Sequence, residues 1–535
     1  MAGPLKPIAL FDLSGGENTV TSPYVLGKNQ SQRVVNFILD EHGSLRVRDG
    51  MATLRSIGTT EPIVKLETYT RSGGSPIRLA IHRGTSPALN RLWNWTPAVP
   101  VDLGALASST EMPDIVLFNN EAIITEGNTV TLNSYDASAI TQLTGGAPPS
   151  AHIANHLNYL WGWNTGTTTA GIQGPSSLRS SDLNNQNSWP AASQTFIARD
   201  DGQQGQGLGL FTIAETGISP EAVLIAFKDF SLYQVTGVFG ATAFAVQKVK
   251  SDMGCVAPRT IQFISGFGMM RLTHRGFALY DGVNDTLVSE EERPRIFGRD
   301  DLTPIDWANV DLASSAQVAN PPLYICSCPV SSSMGALRRT FVYDLIRRAW
   351  TINEYPEDFA TLGLLLEAGQ LPVIAAGAFA GGDVFELFGG DATDNGDDVS
   401  WLMRTRGITA GSPSERMYVR RMLAKFYDIP EGTTIQARFY ASPTGPITQK
   451  IIEKTVPIVT PIAPFLGYGL SAWGLSPYGA PVSENVTDVD MNFDVGLKCN
   501  AIIAELSGTS AGGRLRGVEF HVRQMPLTTS TLQRN

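Results

Sequence analysis

His152-Ile-Ala-Asn-His156 places two imidazoles four residues apart, a spacing that brings ligands together on one face of a helix and opens many zinc sites. The second position lacks a glutamate, and the flanking Leu157-Asn-Tyr-Leu-Trp161 reads as a strand. On a strand the histidines still share a face, but no third ligand is indicated. Cys326 and Cys328 likewise share a face of Leu323–Pro329, at a spacing that is not that of a zinc knuckle; with Cys255 and Cys499 they make four scattered cysteines, expected reduced and mostly buried. Asp200-Asp-Gly-Gln-Gln-Gly-Gln-Gly-Leu-Gly209 is glycine-rich, yet it lacks the Lys-Ser/Thr ending of a phosphate-binding loop and precedes no helical pattern; it reads as a surface loop. Glu290-Glu-Glu-Arg293 reads as a solvated acidic rim, because three successive carboxylates do not point to one spot. Arg338-Arg339, Arg347-Arg348 and Arg420-Arg421 read as surface charge, available to acidic patches of a neighbouring subunit. No histidine has a serine or cysteine beside it in the setting of an activated nucleophile. The sequence nominates no catalytic, cofactor-binding or metal-ligating residue.

The elements that would carry these residues are strands. Ala222-Val-Leu-Ile-Ala-Phe-Lys-Asp-Phe-Ser-Leu-Tyr-Gln-Val-Thr-Gly237 predicts a hairpin: a continuous apolar strand, a polar Lys228-Asp229 turn, then a strand around Leu232, Tyr233 and Val235. Met253-Gly-Cys-Val-Ala-Pro-Arg259 interrupts before strands at 261–265 and 269–272 and a closing Phe277-Ala-Leu-Tyr-Asp-Gly282. Aromatic strand ends recur at Trp93, Tyr135, Trp161, Tyr233, Tyr280, Tyr343 and Phe385, with spacing too irregular for a clean repeat. We read all-β architecture: residues 1–60 as an N-terminal arm and hairpin, 61–395 as an irregular β-propeller of six or seven blades, and 396–535 as a β-sandwich. The arm predicts a strand at 8–13 and a hairpin of Val34–Leu39 with Ser44–Arg48. The polar run 389–398 marks the boundary before the sandwich, for which seven strands are expected. A Pro- and Gly-rich loop at 457–481 carries Phe465, Tyr468, Trp473 and Tyr478 and reads as an insertion or a contact surface. Ser181-Asp-Leu-Asn-Asn-Gln-Asn-Ser-Trp189 superficially resembles the Asp-box turn of sialidase-like propellers, but its interval is too long and the central glycine is missing, so it supports no glycosidase.

With 535 residues, 17% charged, 53 Gly and 32 Pro, the chain suits many short strands rather than long charged helices. A net charge of −10 argues against a surface that grips nucleic acid through clustered Lys and Arg. No signal peptide is visible in Met1–Pro7, which predicts use without export. The apolar stretch at 371–380 is broken by Pro372 and Gly377 and falls short of the roughly 20 residues that span a bilayer, so no membrane-spanning segment is expected.

Asp12-Leu-Ser-Gly-Gly-Glu-Asn18 followed by Val35-Asn-Phe-Ile-Leu-Asp-Glu-His-Gly-Ser-Leu-Arg-Val-Arg-Asp-Gly50 resembles the opening of the tail hub and tail nozzle proteins of short-tailed bacteriophages, also called packaged-DNA stabilisation proteins. The 224–237 hairpin with Gly254–Arg259 and Gly276–Gly282 is similar to that family's propeller core, and Leu515–Val522 to its C-terminal sandwich. The resemblance touches all three regions, and the order of the motifs carries most of its weight. It implies a structural protein of the virion tail, made in the host cytoplasm, without enzymatic activity or cofactor. Its partners would be further copies of itself in a homo-oligomeric ring, usually a hexamer, the portal and adaptor proteins with other tail components, and genomic DNA passing through the lumen without specific binding. The ring would continue the portal channel, retain packaged DNA and release it at ejection; the resemblance names no DNA-gating residues. On this reading the arm and the 457–481 loop lie at subunit interfaces. The alternative is a carbohydrate-binding or carbohydrate-active propeller, which needs convergent carboxylates and a stacking tryptophan at the channel mouth. A third reading, an intracellular interaction scaffold, leaves the arm and sandwich unexplained.

Overall fold

Continuous apolar runs such as Ala222–Phe227 are what a strand needs when sheets cover both its faces, and Val223 to Phe227 are essentially inaccessible to solvent. The computed structural model describes residues 4–40, 43–84, 89–108, 112–166, 174–213, 221–240, 244–299, 302–330, 338–366, 372–411, 415–430, 433–442, 450–457 and 486–525. The chain divides into two compact units: residues 52–346 with 355–389, and residues 1–51 with 347–354 and 390–535. This differs from three consecutive segments, because early strands are built into sheets made mostly of late ones.

The first unit is a β-propeller. Seven antiparallel sheets follow one another, and their first strands are Ile63–Tyr69, Asp114–Phe118, Ser150–His156, Gly205–Ile213, Gln262–Ile264, Ser314–Ala319 and Phe359–Leu365, here blades 1 to 7. Each first strand touches the first strand of the next blade, and that of blade 7 returns to that of blade 1, so they ring an axis. Blades 1 to 5 are four-stranded meanders. Blade 7 takes its outer strand from the start of the chain: the order is Phe359–Leu365, Val373–Ala378, Asp383–Leu387, Met51–Ser56. Residues 51–56, expected in the arm, thus close the ring. The apolar faces of neighbouring blades form the core, as where Leu66, Ala80 and Trp95 of blade 1 meet Leu365, Ala375 and Val384 of blade 7.

Inside blade 4, the expected hairpin is present as Glu221–Lys228 and Leu232–Thr236. Blade 5 buries an ion pair. The side chains of Arg271 and Asp285, both 0% exposed, meet at 2.5 Å, and Arg271 also donates to the carbonyls of Gly254 at 2.8 Å and Met253 at 2.7 Å while lying over the Phe227 ring.

The second unit is a β-sandwich. One sheet orders Phe37–Leu39, Leu45–Val47, Arg514–Gln524, Met417–Pro430 and Val486–Cys499, with Lys6–Leu10 added to Arg514–Gln524. The other orders Ala349–Asn353, Arg33–Val35, Asp397–Arg404, Ala501–Ser510, Thr434–Ser442 and Lys450–Pro457. All seven expected strands are here, joined by the arm. The predicted strand Val34–Leu39 is split: Asn36 sits at φ 60°, and the residues on its two sides pair in different sheets. Between the sheets Trp401 packs on Phe37 and Phe426, ring centroids 5.5 and 5.9 Å away. Of the 457–481 loop, all but Pro457 lies outside the described residues.

Candidate functional site

The residues singled out from the sequence are dispersed, and most have structural work. His152 and His156 both lie in Ser150–His156, four residues apart on an extended strand, which separates them by about 13 Å. His156 is buried against Trp161, and burial pushes its imidazole down to about 4. Cys326 and Cys328 share a buried face with sulfurs 3.6 Å apart, and burial first, then Cys328, pushes the Cys326 thiol well up. Among the described residues no group of three His, Cys, Asp or Glu could hold a metal ion.

The glycine-rich run is a latch followed by a strand rather than a surface loop throughout. Asp201 meets the buried Nζ of Lys228 at 2.7 Å, and the Gln204 amide N–H donates to Asp229 at 2.6 Å, tying the run to the hairpin turn. Gly205, Gly207 and Gly209 belong to the first strand of blade 4, where neighbouring blades come too close for a side chain. A Cβ at Gly205 would meet Trp163 of blade 3 at 2.3 Å; one at Gly209 would meet Met269 of blade 5 at 2.6 Å. The register shifts between Gly205 and Gly207, so the strand turns its bare face from one neighbour to the other. The acidic run is not wholly solvated: Glu292 is fully buried and lies 3.5 Å from Arg295. In Ser181–Trp189, Ser188 donates to Asp182, and the Trp189 indole donates to the Gln186 carbonyl at 2.8 Å, folding a turn within blade 3. The arginine pairs are partly internal, Arg339 donating to the Thr303 carbonyl at 2.7 Å and Arg347 to the Asp40 carbonyl at 2.8 Å.

What the structure does bring together is a polar cavity of about 440 Å³ at one end of the propeller axis. Its walls come from the beginnings of first strands, where Asp114, His152 and Gln206 lie, and from the ends of second strands, where Arg83, Asn128 and Asn164 lie. Antiparallel pairing puts those two sets at the same end of every blade. Arg259, in the short helix Pro258–Thr260 ahead of blade 5, reaches across the axis: Nη1 donates to the Val64 carbonyl of blade 1 at 2.8 Å and Nη2 to the Leu312 carbonyl at 2.7 Å. Arg338 donates to that same Leu312 oxygen at 3.0 Å. Burial, and then the neighbouring Arg338, bring the Arg259 guanidinium down to about 10.

Beside this cavity Lys65 bridges two blades, 2.7 Å from Asp114 and 3.5 Å from Glu67. Burial pulls the Lys65 ammonium down, but Asp114 and Glu67 more than offset it, and the net shift is upward. Burial raises Glu67 against the opposing pull of Lys65. Burial holds His152 down to about 4 against the opposing influence of Asp114 and the Gly205 carbonyl, so it is a neutral imidazole at neutral pH. The site therefore offers one guanidinium bound to carbonyls rather than to a carboxylate, a second arginine, carboxylates, amides and a neutral imidazole, with no aromatic ring other than His152 among the described lining residues. Of this set the sequence pointed to His152 as a candidate ligand, to Gln204 and Gln206 within the glycine-rich run, and to Arg259 only as the end of an interruption between strands. Ile63-Val-Lys-Leu-Glu-Thr-Tyr69 alternates charged and apolar residues as a half-exposed strand does; the signal was there, but the exposed face turns to the axis rather than to the outer surface.

No family model and no curated protein matches the chain. Among solved structures it is similar to BBS1N in complex with ARL6DN, at 9% identity and a TM-score of 0.39 over 64% of this chain and 97% of that one. It is also similar to BamB from Moraxella catarrhalis, at 8% identity and a TM-score of 0.35 over 72% and 100%. A third likeness is to an exo-β-1,3-galactanase from Phanerochaete chrysosporium with galactose, at 7% identity and a TM-score of 0.26 over 89% and 100%. The propeller assignment stands on the chain's own sheets. Among the described residues no helix is long and apolar enough to cross a membrane.

Proposed function

We propose that this chain is a structural subunit of a short-tailed phage tail, a hub or nozzle that assembles as a ring, continues the portal channel, retains packaged DNA and lets it pass at ejection. The observation that carries the reading is what the family-like residues do. Glu17, Asn36, Arg48 and Gly50, all within the two N-terminal motifs, build one buried polar joint in the sandwich. Glu17 accepts from the Val34 amide at 2.6 Å, Asn36 donates to the Ser400 carbonyl at 2.6 Å, and Arg48 donates to Asn36 at 3.0 Å and to both oxygens of Asp394 at 2.8 and 2.7 Å. A Cβ on Gly50 would lie 1.9 Å from the Thr393 oxygen. The motifs thus serve architecture, as a hub or nozzle requires. The net charge of −10 supports passage of DNA without a grip that counterion release would strengthen. In this reading the arm and the 457–481 loop contribute to subunit interfaces. Lys6–Leu10 pairs with the chain's own Arg514–Gln524, so any arm contact with a neighbour adds to that pairing.

Electron microscopy of the purified protein, and of virions, with no symmetry imposed tests this. A hollow ring of about six copies, or density on the tail axis below the portal, is the expected result. A persistent monomer absent from particles would overturn it and favour the carbohydrate reading, of whose two requirements the axial cavity meets one: Asp114 and Asp311 converge there, but no tryptophan is among its described lining residues.

A further inference from the structure

We infer that the axial cavity binds a small polyhydroxylated oxyanion, the chemistry of a uronate or a sugar phosphate, with the Arg259 guanidinium holding the acid group. The inference rests on the carbohydrate reading of the cavity and is independent of ring assembly. Arg259 has five N–H donors in a rigid fork. Two nitrogens are engaged by neutral carbonyls, and Nε is buried with no acceptor. The guanidinium is partly buried, and Asp311 and Asp114 act on it only through space, so its unused Nε–H remains open to an oxyanion, which matches the geometry of the fork. Arg83 lines the same cavity and adds a second positive charge.

A bare anion would not explain the rest of the wall. Asp114 and Asp311 also line the cavity and would repel it. Lys65 at 2.7 Å neutralises Asp114 without using all of its acceptor capacity. Hydroxyl groups resolve the conflict, because they donate to carboxylates and exchange hydrogen bonds with amides such as Asn128 and Gln204. His152, a neutral imidazole on the same wall, has one ring nitrogen able to accept. A volume of about 440 Å³ falls within the roughly 300–1,000 Å³ of small-molecule sites, and the charged and amide side chains on its wall can pair with a polar occupant.

Calorimetric titration of the full-length protein with galacturonate, glucose 6-phosphate, galactose and inorganic phosphate tests the inference. At least one acidic sugar is expected to bind about tenfold or more tightly than galactose and phosphate, a difference that one screened charge contact supplies. Gln204 is exposed, so Gln204→Glu should fold normally, as circular dichroism and the unfolding transition will show, while weakening the acidic sugars about tenfold through added negative charge. Arg83→Gln should weaken them in the same direction. Equal binding of galactose and galacturonate overturns the acid preference while leaving a sugar site in place. Phosphate binding as tight as the acidic sugars removes the hydroxyl argument, and no binding of any probe removes both. Undiminished affinity in a folded Gln204→Glu protein excludes this cavity as the site.

Discussion

Asp285→Ala isolates the cost of a buried charge in the propeller. In the folded protein Asp285 accepts from Arg271 Nη1 at 3.0 Å and Nη2 at 2.5 Å, and from the Ser251 hydroxyl. Neither side chain has any solvent exposure. Truncation leaves the guanidinium with the carbonyls of Gly254 and Met253 as acceptors but without its counter-charge, since water does not reach it. Removing one partner of a buried pair typically costs about 3–5 kcal/mol, and the two retained carbonyls place this case near the lower end, about 3 kcal/mol. Asp285→Asn keeps the shape and one acceptor but gives up the charge assistance, so about 2 kcal/mol is expected. The double variant Arg271→Met/Asp285→Leu removes both charges and should recover part of the loss, short of full recovery because the two carbonyls lose their donors. Urea unfolding followed by tryptophan fluorescence and far-UV circular dichroism measures all three. A cost below about 1 kcal/mol for Asp285→Ala, or a double variant less stable than that single one, would refute the reasoning.

Gly50→Ala forces a methyl group into the Thr393 backbone oxygen and should destabilise the sandwich by about 1–3 kcal/mol, read from the urea midpoint. His156 gives a pH signature. Its folded value of about 4 lies below the 6.5 of the unfolded chain, so the unfolded state binds more protons between those values. The stability it supports is complete above pH 6.5 and is lost as pH falls toward 4, by about 1–2 kcal/mol at pH 5. A folded His156→Phe variant should show a correspondingly shallower loss of stability between pH 7 and 5; an unchanged slope would exclude His156 as its source. All four cysteines are buried, and burial lifts Cys255 and Cys499 to about 12, so a thiol reagent should label none in the native protein and four after unfolding.

Strands were legible wherever burial on both faces produced a continuous apolar run, as at Ala222–Phe227, or burial on one face produced alternation, as at Gly517–Arg523. Long-range assignments were harder. Nothing in Met51-Ala-Thr-Leu-Arg-Ser56 says that its partner is Asp383–Leu387, because β pairing between distant segments leaves no local periodicity beyond that of a strand. The break at Asn36 was hidden for a similar reason: one residue in the left-handed region moves a strand between sheets without changing its hydrophobic character. The axial site was legible only in fragments, in His152 and in the run that carries Gln204 and Gln206. Arg83, Asp114, Arg259 and Asp311 come from separate blades and converge through ring closure, which sequence spacing does not encode. The glycine-rich run, read as a surface loop, continues into a strand whose bare positions make room for Trp163 and Met269.

Closing the last blade with Met51–Ser56 sets a timetable for biosynthesis. The strand leaves the ribosome well before its neighbour Asp383–Leu387, which emerges more than three hundred residues later, at about 5–20 residues per second roughly 15–65 s. Lys6–Leu10 waits longer still for Arg514–Gln524. Throughout that interval the nascent chain carries unpaired strand edges, so it is open to aggregation and to pairing with a sister chain until residue 387 has emerged. A chain terminated before residue 383 would lack the partner that its own beginning requires.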